Sequence, residues 1–193
     1  MDLNKRLGFL ALFGAAQFFL ALLVCERLYP DFSVANNWIS DLGVGSTELL
    51  FNGSLFVAAL CGVACAALSY EKFKDHLFSG LILFASVAAG GIAVFNEEAG
   101  MLHTAFSLAF FVLGPLAAAL AARIVKTRAD QLTTVFIGGL SLLAAAMLVT
   151  GNTLWFGNGG MEHSIVLPFL AWEALGGVFM LRQKDAKNSK KRK

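Results

Sequence analysis

Apolar residues fill this chain in six blocks, each about as long as a bilayer crossing, and polar residues gather in the short stretches between them. A helix needs about 20 mostly apolar residues to cross roughly 30 Å of hydrocarbon, because every backbone N–H and C=O must be satisfied within the segment. Six stretches meet that requirement, at 7–25, 47–70, 77–95, 102–122, 133–150 and 164–181. The pattern predicts an all-α, polytopic membrane protein with six transmembrane helices, forming a single domain over 1–182 and followed by a basic tail over 183–193.

Composition strengthens that reading. Of 193 residues 58% are hydrophobic and 15% charged, and the mean hydropathy of +0.70 exceeds that of soluble domains. Charge then orients the bundle. Of the fifteen Lys and Arg residues, all but Arg27 fall at the N-terminus, in the second and fourth connections, or in the tail. The positive-inside rule therefore predicts cytoplasmic N- and C-termini and places 26–46, 96–101 and 151–163 outside. The first block follows a short basic region, as a signal peptide would. It runs into Cys25, Glu26 and Arg27 without a small-x-small cleavage site and is read as a retained helix. The expected partners are membrane lipids, with anionic headgroups at the basic tail. No nucleic-acid partner is implied, and a homo-oligomer is compatible with the sequence.

The cysteines carry little. Cys61 and Cys65 lie on one helix face, a poor disulfide pair, and Cys25 is at the far end of another helix. No CxxC pair, phosphate-cradling glycine loop or nucleophile elbow is present. The pairs Gly90 and Gly91, Gly138 and Gly139, Gly176 and Gly177, and the alanine run 117–122, offer flat surfaces for close helix approach.

Candidate chemistry lies at one end. Asp41, Glu48, Asn52, Asn96, Glu97, Glu98, His103, Asn152, Glu162 and His163 all fall at the predicted outer boundary, whereas the opposite end carries mostly Lys and Arg. His103 and His163 start the fourth and sixth spans, so both imidazoles should share one depth, with Glu97 and Glu98 shortly before His103. Two histidines from different helices with a carboxylate form the ligand inventory of a catalytic divalent-metal site, zinc favoured, with His103, His163 and Glu97 as ligands. Asp41 or Glu98 would then be the base. Equally open are a role for these groups as helix caps, with Glu162 and His163 at the start of the sixth span, and a proton relay without metal. A two-histidine haem site is a further, weaker option, since both histidines lie at the interface and no CxxCH motif exists.

Glu173 is the remaining candidate. It falls deep within the last span, where an ionised carboxylate facing lipid costs about 2.5–3.5 kcal/mol, so it should face the bundle interior, be protonated, or both. Eleven residues separate it from Glu162, about three turns or 16 Å, so the two carboxyls share a helix face that could line an outward cavity. A hydrogen bond to Asn52, Ser86, Ser107 or Ser141 is the alternative.

Several short segments in order carry a resemblance. These are Asn37-Trp-Ile-Ser-Asp-Leu-Gly43, Phe51-Asn-Gly53, Gly91-Ile-Ala-Val-Phe-Asn-Glu97 ahead of Met101-Leu-His103, and Leu167-Pro-Phe-Leu-Ala-Trp-Glu173. Together they resemble domain-of-unknown-function family 998, over nearly the whole chain. Asn96 stands where that family often has Pro. The resemblance implies a six-helix layout, similar to DRAM-like membrane proteins, and no assigned reaction. A looser likeness is to the CREST membrane hydrolases, which group a Ser, an Asp and three His around a metal. This chain has Ser40 and Asp41 but only two outer histidines.

Three functions follow as expectations: a metal-dependent hydrolase acting on lipid or lipid-linked substrate at the outer face, a small-ligand or proton-coupled transport or binding bundle using Glu173, and a structural membrane protein without chemistry.

Overall fold

A computed structural model describes residues 2–183. It contains six long helices: α1 (Leu3–Leu28), α2 (Glu48–Phe73), α3 (His76–Val94), α4 (Met101–Leu120), α5 (Arg128–Val149) and α6 (Gly157–Arg182). All six are long and apolar enough to cross a membrane. Short 3-10 turns at Ser40–Gly43, Gly45–Thr47, Glu97–Ala99 and Ala121–Arg123 punctuate the connections. Among the described residues there is no β-strand.

Local signals set the helix ends. Asp2 accepts a hydrogen bond from the Lys5 amide and Asp75 from that of Phe78, each satisfying one of the amides left unpaired at a helix start. Helix α5 begins ahead of its apolar block because Thr127 caps it, accepting from the Asp130 amide at 3.1 Å. Helix α6 also begins early, at Gly157, so Glu162 and His163 lie in its second turn and do not cap its start. The polar, glycine-rich run from Gly157 to Gly160 hides that extra turn from a hydropathy reading.

The helices form a ring. Each packs on its neighbours in chain order, α6 returns to α1, and α4 also touches α6. Six cylinders about 10 Å across leave a gap of comparable width at the centre unless large side chains fill it. Between 28% and 39% of the most apolar stretch of each span is buried within the protein, which leaves the remaining side chains to lipid tails and to the centre of the ring.

Small residues permit the closest crossings. A Cβ on Gly177 would stand 2.8 Å from the Gly8 carbonyl oxygen, and one on Gly138 would stand 2.5 Å from that of Pro115. Gly176 and Gly139 meet nothing within 4 Å, so one member of each of these glycine pairs makes the contact and the other does not.

The two ends differ chemically. At one end Lys72, in the last turn of α2, bridges Asn4 of α1 and Gln183 just after α6, and Arg123 lies 3.4 Å from Asp75, joining the α4–α5 connection to the α2–α3 connection. The other end carries the α1–α2, α3–α4 and α5–α6 connections. We call these the basic end and the polar end. The basic tail beyond Gln183 lies outside the described residues.

Candidate functional site

The polar end is built around the segment Ser33–Gly43. Its apolar residues Ile39 and Leu42 are 4% and 0% exposed and pack with Phe18, Leu22, Phe51 and Ile165, so the segment enters the bundle and plugs it. Val34, Ala35 and Asn36 stay exposed, whereas the polar groups of the buried stretch around Ile39 and Ser40 must find partners in the protein.

Three carboxylates supply them. Glu162 of α6 accepts from the Ile39 amide at 2.5 Å, and the Ser40 amide also faces it. These are the unpaired N–H groups that open the 3-10 turn, where negative charge is favoured. Asp41 folds back to accept from the Trp38 amide at 3.1 Å and the Asn37 side chain at 2.9 Å. Glu97, entering from the α3–α4 connection, accepts from the Ser40 hydroxyl at 2.5 Å. Burial pushes the Glu97 carboxyl above its ordinary range and the adjacent Asp41 adds to that, while the Ser40 hydrogen bond and nearby His103 act in the opposite direction.

Backbone contact locks the plug further. A Cβ on Gly159 would stand 1.8 Å from the Asn37 carbonyl oxygen, and one on Gly157 would stand 2.1 Å from that of Ala35. Gly157 also has φ +70°, a conformation that favours glycine. The first turn of α6 therefore lies directly against the plug.

The two histidines take different partners. His103, 8% exposed, places Nδ1 at 2.8 Å from the Phe95 carbonyl oxygen, which assigns its proton to Nδ1 and leaves Nε2 as the lone-pair nitrogen of the neutral ring. His163 places Nδ1 at 2.7 Å from the Gly159 carbonyl oxygen and Nε2 at 3.0 Å from Glu26 of α1. The Nδ1 contact requires a proton on that nitrogen, so the Nε2–Glu26 contact must hold another, carried by the ring or by the carboxyl. Among the described residues, no group of three or more His, Cys, Asp or Glu side chains is arranged to hold a metal ion.

Glu173 lies elsewhere. It lines a cavity of about 450 Å³ at the centre of the ring, with walls from all six helices. Apolar residues such as Phe18, Phe110, Phe169 and Trp172 form much of the wall, and the lining continues to Ile124, Asp130 and Arg182 at the basic end. The Asn52 amide donates to the Gly43 carbonyl oxygen and the Ser86 hydroxyl to that of Ile82, so neither serves Glu173. The Glu173 carboxyl has no hydrogen-bonding or ionic partner among the described residues; the thiols of Cys61 and Cys65 stand within electrostatic reach.

The family description "Protein of unknown function (DUF998)" matches residues 12–178. The chain belongs to DUF998. No curated protein and no solved structure matches it.

In this DUF998 protein the structure brings Asp41, Glu97 and His103 together, and adds Ser40 and Glu162 to them. His163 is held by Glu26, and Glu98 is exposed, with its amide donating to Asn96. The expectation that Glu162 and Glu173 line one outward cavity is corrected: Glu162 is occupied by the plug, and the Glu173 cavity extends to the basic end. Sequence reasoning passed over Glu26 as a histidine partner and Gly157 and Gly159 as contact positions. Glu26 could have been noticed as an acid at the polar end of the first block, but its partner lies 137 residues away.

Proposed function

We propose that this multi-pass membrane protein is a binding bundle that admits a small, largely apolar ligand to the central cavity and engages it through Glu173. The observation that carries this reading is a carboxyl without a partner among the described residues, in an apolar cavity of ligand size, since pockets for small molecules typically span about 300–1,000 Å³ with few polar groups placed among apolar walls. The positive-inside rule puts the basic end, where the cavity lining reaches the surface, in the cytoplasm. Entry would then be cytoplasmic, with the plug closing the far side.

Gly176 gives a direct test. It lines the cavity, and a Cβ there meets nothing within 4 Å, so Gly176→Trp fills the space without a backbone clash. Native mass spectrometry with triphenylphosphine oxide, a neutral apolar probe, should show one molecule bound per wild-type chain and none on Gly176→Trp. Equal adducts on both proteins would refute binding in the cavity.

The polar end supports a second reading, a hydrolytic or lipid-modifying site at the extracytoplasmic face. It is favoured by the grouping of Ser40, Asp41, Glu97 and His103, in which Glu97 could take a proton from the Ser40 hydroxyl or a water. In the metal-dependent form, zinc favoured, His163 must first leave Glu26. Elemental analysis of the untagged protein beside a His103→Ala His163→Ala double variant tests that form. One divalent ion per wild-type chain, lost in the variant, supports it; no ion in either protein counts against it.

A further inference from the structure

We infer that the ligand of the central cavity is a lipophilic organic cation, an ammonium- or phosphonium-type centre within an apolar body. This inference rests on the binding reading above and narrows it to a chemical class. Three observations point to a cation.

The first is charge complementarity. Among the described residues Glu173 has no hydrogen-bond donor or cationic side chain against it, and the nearest cationic lining residue on its own helix is Arg182, nine residues on, about 14 Å along the axis. An ionised carboxylate in such surroundings is costly until a counter-charge arrives. A proton or an organic cation would each supply one, so the two compete for the same group. An anionic ligand would instead meet the carboxylate with like charge.

The second is the aromatic wall. Phe110 and Phe169 meet edge to face with centroids 5.4 Å apart, and Phe169 continues to Trp172 at 5.6 Å. All three rings line the cavity, and Trp172 directly precedes Glu173 in the chain. Ring faces attract cations, most strongly when water is excluded, and indole is the best of them. A carboxylate and three rings lining one cavity suit a diffuse cation without requiring hydrogen-bond donors from it.

The third is size and access. About 450 Å³ is far more than a proton or a metal ion needs and suits an apolar body carrying one charge. The lining near the basic end includes Asp130 as well as Arg182, so the approach is not uniformly positive.

The test uses the full-length protein in phosphatidylcholine nanodiscs, with radiolabelled tetraphenylphosphonium as the cationic probe and triphenylphosphine oxide as the neutral one. Wild type should bind the cation on the order of tenfold more tightly than the neutral probe, equivalent to about 1.4 kcal/mol. Glu173→Gln should lose that preference, so that its affinities for the two probes differ by less than about twofold. Helical circular dichroism and a monodisperse nanodisc peak equal to those of wild type report that the variant is folded. Equal affinity of wild type for both probes, or an undiminished cation preference in Glu173→Gln, would overturn the cation assignment and leave the cavity-binding reading standing. Failure of both probes to bind wild type would overturn both. Should Glu173→Gln not fold, competition on wild type decides: excess tetraphenylphosphonium displacing bound neutral probe at about one-tenth of the concentration that triphenylphosphine oxide requires supports the assignment, and equal displacement overturns it.

Discussion

The backbone amide of Ile39 donates to the carboxylate of Glu162, 123 residues further along the chain, at 2.5 Å. That contact fastens the plug to α6 and closes the polar end of a ring whose centre remains open. Removing the acceptor in Glu162→Ala strands the Ile39 amide in a buried site and should cost about 1–3 kcal/mol locally. Hydrogen exchange at residues 37–43 should accelerate while the middle of each helix stays protected; unchanged exchange there would mean that the carboxylate does not hold the plug.

Glycine positions on α6 should respond oppositely to the same substitution. Gly159→Ala drives a Cβ against the Asn37 carbonyl oxygen and should destabilise by about 1–3 kcal/mol or more, because both sides of the clash are backbone. Gly176→Ala enters open space, so it should be neutral or slightly stabilising, as alanine favours helix. Thermal unfolding in detergent, read by circular dichroism, separates the two. Equal melting temperatures would show that the plug does not press on α6.

The plug should loosen as pH rises. Glu97 has its pKa raised in the folded arrangement, so that state retains a proton which a released Glu97 would give up. Protonation therefore favours the closed plug. Its contribution is fully present below the ordinary carboxyl value of 4.5 and is lost as pH climbs through the raised value. The groups facing Glu97 are Ser40 and Asp41 from the plug, His103 from α4 and Glu162 from α6. Exchange protection at 37–43, corrected for intrinsic rates, should fall across that window in wild type and lose the Glu97 component of its slope in Glu97→Gln. An identical slope in the variant would assign the pH response to another group.

Access to the cavity should be one-sided. With Cys25, Cys61 and Cys65 replaced by Ala, Gly176→Cys places a thiol in the cavity, and a membrane-impermeant maleimide should label it from the face bearing the basic connections. The same reagent applied to the polar face should leave it unlabelled. Labelling from the polar face alone would reverse the proposed entry route.

The histidine pairs should differ in what they support. His163→Ala removes the ring that joins α6 to Glu26 of α1 and leaves a half-buried carboxyl without that partner, so it should destabilise by about 1–3 kcal/mol. His163→Ala combined with Glu26→Ala should recover part of that loss, which thermal unfolding of the single and double variants measures. Additive losses would show that the two side chains are not coupled.

Hydropathy alone determined the six spans, since each apolar block must solve its own backbone hydrogen bonding and can do so only as a helix. The alternation of Lys and Arg likewise separated the basic end from the polar end, and the polar end was legible as the gathering place of Asp41, Glu97, His103, Glu162 and His163. What the residue string did not contain was which of these meet. His103 and His163 look equivalent in sequence, each near the start of a span, yet one turns to the α3–α4 connection and the other to Glu26. Only the tertiary structure decided that Glu162 serves the plug while Glu173, on the same helix, faces the central cavity. The reason is range: helix formation and membrane insertion are settled within about 20 neighbouring residues, whereas pairing a carboxylate with an amide 123 residues away depends on how six helices close into a ring.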